Sequence, residues 1–487
     1  MCRSSSARLA TRPTGDHSLA AIPARAWRFL AFAVLLSLTV PRLWQRGMFL
    51  DGMTYAVVSR NMALGIGSFW SPSLSATAYA QFFEQPPLGL GLQAAAFWLF
   101  GDHFAVERAF SLVVFALHAL LIAAIWRRLL PVAYDWMPLL FWALPAVVTW
   151  SVVNNMLENT QALFTTLAIF ALLKTCGSVT PASTVGWSAL SGGAVVASVL
   201  VKGPVGLFPL AVPLLFSILP RGQRPAYQAT GLGAMYGTFA GLTGAILLAE
   251  PARHALQAFL STHLSPVLGG ERGAGSRTYD IARHLTFGAW LRMGGLAALL
   301  WLVRLRRKPI GRIGRETWFF FAIGCAASIP ITVSPVLAGH YFLPSLPFFA
   351  LGFAAVALPA VAPLKTSPGS LAWKVPGWIA FLLIAAVVVV LTVHGPVEVR
   401  DERMVRSMDR IAAIAPHGAT IGACPQSAGD WGLINYLQRF YRISLAADGA
   451  PRTGWFLATP GACAAPPSCQ PAAETETFSL FRCDPAS

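Results

Sequence analysis

Two carboxylates in this sequence sit where acid–base chemistry could be done. Asp51 lies in Met48-Phe49-Leu50-Asp51-Gly52-Met53-Thr54-Tyr55, directly after the first long apolar run. Glu84 lies in Phe82-Phe83-Glu84-Gln85-Pro86-Pro87-Leu88-Gly89, between aromatics and a Pro-Pro stop. A carboxylate within hydrogen-bond reach of a hydroxyl can take its proton or anchor it beside an electrophile. If a helix starts at Asp51, Tyr55 and Ser59 share its stripe at i+4 and i+8, and Arg60 faces away. Glu107 and Arg108 close the same segment. Blander readings stand beside these: Asp51 as the N-cap of the following helix, Glu84 as a solvated loop charge, Glu107 with Arg108 as an interface pair. The grouping of acids in one place favours chemistry. Farther along, Glu158, Lys202 and His340-Tyr341 fall at the ends of other apolar runs. Ionisable groups there are costly and usually pair or serve function. Glu158 with Lys202 therefore reads as a structural pair or as part of a site, and Lys202 could equally snorkel to the interface.

These residues need a scaffold, and composition names its class. Of 487 residues, 55% are hydrophobic and 11% charged. An ordinary soluble domain carries about 25% charged residues, so a single water-soluble globule is excluded, as is disorder of the bulk. The net charge of +16 would point to nucleic acid in a soluble protein. Here it follows the apolar runs. At about 20 residues per span, the runs are roughly 25–44, 106–125, 136–153, 160–173, 186–201, 204–219, 226–248, 285–303, 317–333, 342–358 and 375–393. Basic clusters follow alternate runs: Arg127-Arg128, Arg221 with Arg224, then Arg304, Arg306, Arg307, Lys308, Arg312 and Arg315, and finally Lys365 with Lys374. All fall on the side of the tail bearing Arg3, Arg8 and Arg12 if the spans alternate. The positive-inside rule then predicts an inside N-terminus and about eleven transmembrane helices. The first run lacks a small-x-small cleavage site and reads as an uncleaved anchor. The expected protein is an all-α polytopic membrane protein of the bacterial inner membrane, its N-terminal tail (1–24) cytoplasmic and its spans within 25–394.

Three segments then face outward: 45–105, 250–284 and 395–487. The first contains Leu88–Phe100, too short to span comfortably and read as an interfacial helix. The second contains His254, His263 and His284 with several glycines, read as a mobile lid or a solvated connection; the His spacings fit no metal-ligand pattern. The last has ordinary polar composition, and the alternating runs 419–423 and 442–446 predict a small α/β extracytoplasmic domain. Cys424, Cys463, Cys469 and Cys483 lie in it. Four cysteines in an outward-facing domain read as two disulfides, with three pairings open. No metal site is expected.

The ordered set of short motifs resembles a known family. Leu50-Asp51, Tyr55-Ala56, Ser59-Arg60-Asn61-Met62, Trp70, Phe83-Glu84-Gln85-Pro86-Pro87, Phe100-Gly101-Asp102 and Glu107-Arg108 are followed by Asn155-Met156-Leu157-Glu158-Asn159, Lys202-Gly203-Pro204 and His340-Tyr341-Phe342-Leu343-Pro344. The sequence resembles the GT-C superfamily of polytopic glycosyltransferases, in the branch of protein O-mannosyltransferases and the lipid A aminoarabinose transferase, over roughly residues 25–360. The resemblance implies a polyprenyl-phosphate sugar donor on the outer leaflet, with Asp51 as base or acceptor anchor and Glu84 as a second acid. It also implies Lys202 near the donor and Tyr341 lining the cavity. The family often has Asp-Glu where this chain has Asp51-Gly52, an Arg where it has Thr54, and a Lys after the second Glu where it has Gln85. Phosphate grip is then expected from Arg60, Arg108, Lys202 or His340, with Tyr55, Glu107 and Glu158 in support.

The chemistry of that role can be argued independently. A glycosyl phosphate carries its own leaving group, so the protein must activate a hydroxyl and neutralise the departing phosphate. No Gly-rich phosphate loop for a nucleotide sugar is present, and no cofactor is required. The expected partners are membrane lipid, a lipid-phosphate sugar and a glycan, lipid or protein acceptor, with no nucleic acid. The competing expectation is a secondary transporter or flippase, which should place charges near mid-bilayer and show internal repeats.

Overall fold

A computed structural model of the chain describes residues 20–21, 23–218, 225–264, 281–305, 313–332, 337–362, 365–366, 370–393, 400–450, 452–459, 461 and 463–484. Arg3, Arg8, Arg12, Arg221, Arg224, Arg306, Arg307, Lys308, Arg312 and the centre of the second outer loop lie outside the described residues. The chain divides into two compact units. One comprises residues 1–41, 112–152 and 158–394; the other comprises 42–111, 153–157 and 395–487.

The expected all-α membrane architecture with a small C-terminal sheet is what folds. Among the described residues, six helices are long and apolar enough to cross a membrane: 24–43, 105–129, 181–202, 229–248, 283–303 and 373–393. Of the remaining expected runs, one is bent, one is broken by prolines, one is short, and two lie in helices of 19 and 18 residues, Leu157–Thr175 and Arg315–Thr332. The run 136–153 is two helices bent by 78°, α5 (Met137–Ala143) and α6 (Ala146–Val153). Pro145 separates them, and a proline cannot donate to the preceding turn. The run 204–219 holds Pro204, Pro209 and Pro213 and folds as a 3-10 stretch, Pro204–Ala211, with one short helix after it. The run 160–173 lies in α7 (Leu157–Thr175), and 342–358 gives a helix of only 16 residues, Leu346–Val361.

Within the first unit, small residues let helices approach closely, as membrane packing requires. Helix α8 (Pro181–Lys202) packs on Pro225–Leu248 through Gly192, where a Cβ would stand 2.3 Å from the Met235 carbonyl oxygen. The Ser191 hydroxyl donates to the Ala168 carbonyl at 3.0 Å, and Thr175 and Ser188 share a hydrogen bond of 3.1 Å. Helices 315–332 and 346–361 interlock reciprocally: Gly324 faces the Phe349 ring and Gly352 faces the Phe321 ring.

The second unit joins the segment after the first apolar helix to the tail. It contains α2 (Leu50–Ala63), α3 (Pro87–Phe100) and the start of α4 (Ala105–Leu129). From the tail come α16 (Glu402–Ala412), α17 (Pro425–Ala428) and α18 (Trp431–Tyr441). Five strands make one sheet: β3 (Thr420–Ala423), β4 (Ser444–Ala446), β5 (Trp455–Ala458), β6 (Cys469–Glu474) and β7 (Ser479–Cys483). Their order is β4-β3-β5-β7-β6, with β3 parallel to both neighbours and β7 antiparallel to both of its own. The two predicted strands are β3 and β4. Of the three open pairings, the structure bonds Cys424 to Cys463 and Cys469 to Cys483. The second joins residues directly opposite each other on β6 and β7.

Candidate active site

Helix α2 begins with Phe49 as its N-cap, which has no side-chain capping bond. Asp51 therefore does not cap; it is half-buried in the first turn. What starts the helix is the turn at 153–157. The Phe49 backbone N–H donates to Asn154 Oδ1 at 2.7 Å. Gly52 lies so close that a Cβ there would stand 1.8 Å from the Asn154 carbonyl oxygen. Glycine at this position, where the resembling family often has Glu, is thus enforced by main-chain contact. Asn155 adopts φ +51°, a conformation Asn tolerates better than most residues. Its Nδ2 donates to the Gly52 carbonyl at 3.0 Å, while its Oδ1 accepts from Gln93 Nε2 at 2.6 Å and from the Ser111 hydroxyl at 3.0 Å. One side chain so ties α2, α3 and α4 together beside Asp51.

The departure at Thr54 also has structural partners. Thr54, where an Arg is common, accepts from Asn435 Nδ2 of α18 at 2.8 Å and donates to the Leu50 carbonyl at 3.1 Å. Tyr55 is buried one turn after Asp51. Glu84 is half-buried, near enough to Tyr79 to act on its hydroxyl; burial and that carboxylate together push the Tyr79 pKa up.

Arg60 and Arg108 direct their donors inward. Arg60, 1% exposed, reaches Asp102 Oδ2 at 3.2 Å and the Gln438 carbonyl at 2.8 Å. Arg108 donates to the carbonyls of Val153, Gln45, Arg46 and Gly47. Arg108 thus gathers main chain around a cation, while Arg60 bridges a carboxylate, the Asn61 side-chain oxygen and one carbonyl. Glu107 does not pair with its neighbour Arg108. It takes Arg439 of α18 through both carboxylate oxygens, at 3.1 and 2.9 Å. Arg439 also reaches Asp102 Oδ1 at 2.8 Å. Two arginines and two carboxylates form a chain with no net charge, in which Arg60, Arg439 and Glu107 are buried and Asp102 reaches solvent. Their proton affinities diverge accordingly. Burial lowers the Arg60 pKa below its ordinary value, only partly offset by Asp102. Burial acts on Arg439 in the same sense, but Glu107 and Asp102 outweigh it and push the pKa up.

In the first unit, Glu158 opens α7 and Lys202 ends α8, and their side chains meet at 2.6 Å. Glu158 is 1% exposed. His340, on the 3-10 turn Gly339–Phe342, approaches the same carboxylate oxygen at 3.5 Å and stacks on Trp150. The Lys202 ammonium lies 6.0 Å from the centre of the Tyr341 ring. Gly203, at φ +85°, turns the chain sharply after Lys202 against Phe259. An ion pair this buried persists because its partners compensate the desolvation. The four residues form an ammonium, a carboxylate, an imidazole and a phenol ring gathered at one helix end.

Sequence reasoning singled out Glu107 but not its partner Arg439. The signal was present: Asn435, Gln438 and Arg439 recur at i, i+3 and i+4 on the buried side of α18, opposite to ordinary amphipathic placement.

No protein-family profile matches this sequence, and no curated protein does. Solved structures do match in fold. ArnT from Cupriavidus metallidurans bound to undecaprenyl phosphate superposes with a TM-score of 0.61 at 17% identity, covering 93% of this chain and 97% of that one. Its apo form gives 0.60 over 94% and 98%. The archaeal oligosaccharyltransferase AglB from Archaeoglobus fulgidus, in complex with an inhibitory peptide and a dolichol-phosphate, gives 0.51 at 11% identity over 90% and 69%. This chain therefore shares its fold with ArnT and AglB.

Proposed function

We propose that this chain transfers a sugar from a polyprenyl-phosphate donor to an acceptor at the outer face of the bacterial inner membrane. The observation that carries the reading is the near-complete superposition on ArnT bound to undecaprenyl phosphate, joined to a half-buried carboxylate, Asp51, freed from capping duty at the start of α2. In the proposed reaction Asp51 takes the proton of the acceptor hydroxyl. The acceptor oxygen bonds to the sugar's anomeric carbon as the carbon–phosphate oxygen bond breaks, with inversion. The electron pair leaves with the phosphate. A cation near that oxygen lowers the barrier by meeting charge as it develops. The family resemblance, which sets a basic residue near the donor, makes Lys202 the candidate. Glu84 serves as a second acid toward the acceptor.

The test is a deletion strain complemented with the gene, followed by mass spectrometry of envelope glycans and glycoproteins. Loss of one sugar mass on deletion and its return on complementation supports the reading. Unchanged profiles in both classes overturn it.

A further inference from the structure

The loop that carries Glu84 displays an aromatic side chain at a conformational cost. Tyr79 has φ +50°, a region that disfavours residues with a Cβ by about 1–2 kcal/mol. Its surroundings hold it there. The Leu74 N–H donates to the Tyr79 carbonyl at 3.0 Å, and the Ser75 hydroxyl accepts from Ala78 N–H at 2.8 Å. The Phe82 N–H donates to the Pro72 carbonyl at 2.7 Å. Asn61 of α2 donates to the carbonyls of Ser73 and Leu74 at 3.1 and 2.8 Å. Yet the ring so positioned is 43% exposed. Strain held by an ordered frame and not repaid by burial points to a use outside the fold.

The tail supplies the second ring. Trp431 is the first residue of α18, set by its N-cap Asp430, whose carboxylate accepts from Leu433 N–H at 3.1 Å. Its ring lies 5.0 Å from that of Tyr79, tilted by 46°. Phe82 backs Tyr79 at 6.2 Å. Glu84 acts electrostatically on the Tyr79 hydroxyl. Two tilted π faces, with the carboxylate of Glu84 five residues along the same loop, match one ligand chemistry well. A pyranose or furanose ring has a face of C–H groups, weakly positive, that stacks on the negative face of an aromatic ring. Its hydroxyls donate to a carboxylate. A membrane-anchoring role fits less well, because Glu84 would meet anionic headgroups at that point.

We propose that Tyr79, Trp431 and Glu84 form a saccharide subsite, so that the acceptor is a glycan and not a peptide hydroxyl. This rests on the glycosyl-transfer reading above, but it is tested by binding alone. The purified full chain, fluorescently labelled in detergent, is applied to an array carrying bacterial envelope oligosaccharides and serine/threonine-rich peptides, with no donor present. The expected result is retention on a class of oligosaccharides. It weakens about fivefold or more in Tyr79→Ala and in Trp431→Ala, each removing one stacking ring, and holds in Tyr79→Phe. If Trp431→Ala does not fold, the exposed Tyr79→Ala carries the comparison. Three results overturn the proposal: no oligosaccharide retention, retention indifferent to Tyr79→Ala, or peptide retention that falls with Tyr79→Ala. Because no turnover is involved, a failed transferase reading and a failed subsite give different results.

Discussion

Arg439 grips Glu107 through two nitrogens, at 3.1 and 2.9 Å, from 332 residues away in the chain. Both side chains are almost wholly buried. Removing the guanidinium leaves a carboxylate in an apolar setting, which typically costs about 3–5 kcal/mol. Arg439→Ala should lower the unfolding temperature of the detergent-purified chain sharply. Arg439→Lys should recover only part, since a lysine cannot make the two-pronged contact. Pairing Glu107→Gln with Arg439→Gln should be milder than Arg439→Ala alone; a double-mutant cycle read by thermal unfolding checks this.

Asp51 makes no capping bond, so its charge can be removed at little structural cost. Asp51→Asn should reduce transfer by about 100-fold to 10,000-fold, the range expected for loss of a general base, while expression and melting temperature stay unchanged. Full transfer by this variant would sink the catalytic role.

Gly52→Ala places a methyl group against the Asn154 carbonyl oxygen. Overpacking of this kind costs about 1–3 kcal/mol when the neighbour can shift, and the neighbour here is main chain. The expected outcome is a lower melting temperature together with impaired transfer, because the displaced turn is the one that seats Asp51. A variant as stable and active as the parent would contradict the contact.

Asp409 of α16 titrates below its ordinary value of 3.8: burial works against its charge, but hydrogen bonds from Arg46, at 2.8 and 2.7 Å, and from Tyr441 prevail. A carboxyl depressed on folding stabilises the fold above its unfolded pKa, and that stability is lost as pH falls through the folded value. Acid titration of the full chain below about pH 4 should therefore loosen the second unit. Asp409→Asn should flatten this part of the profile, monitored by Trp fluorescence.

The topology also has a direct check. Alkaline phosphatase fused after Leu358 should be inactive and fused after Ser487 active; the reverse pattern would overturn the inside-positive orientation.

How much of this was legible depended on the range of the interaction. The α/β tail announced itself through composition and short alternation, and β3 and β4 fell within the alternating runs 419–423 and 442–446. Chain breaks at Pro145, Pro209 and Pro213 follow from local chemistry, yet the length rule counted across them. The reason for Gly52 was illegible, because its cause is a carbonyl at position 154. The partners of Arg108 are main-chain carbonyls, which carry no sequence signature, and one of those of Arg60 is the Gln438 carbonyl of the distant tail. Glu107 was noticed, but only the folded tail could supply Arg439.

The charge chain also has a timetable. Arg60 and Asp102 are 42 residues apart and can meet while the first loop is being made. Glu107 must wait for 332 further residues, roughly 20 seconds to a minute at ordinary rates of synthesis. During that interval the helices between them emerge while the Glu107 carboxylate lacks its guanidinium. A ribosome that stalls before Arg439 leaves that acid unmatched, however much of the rest of the chain has been made.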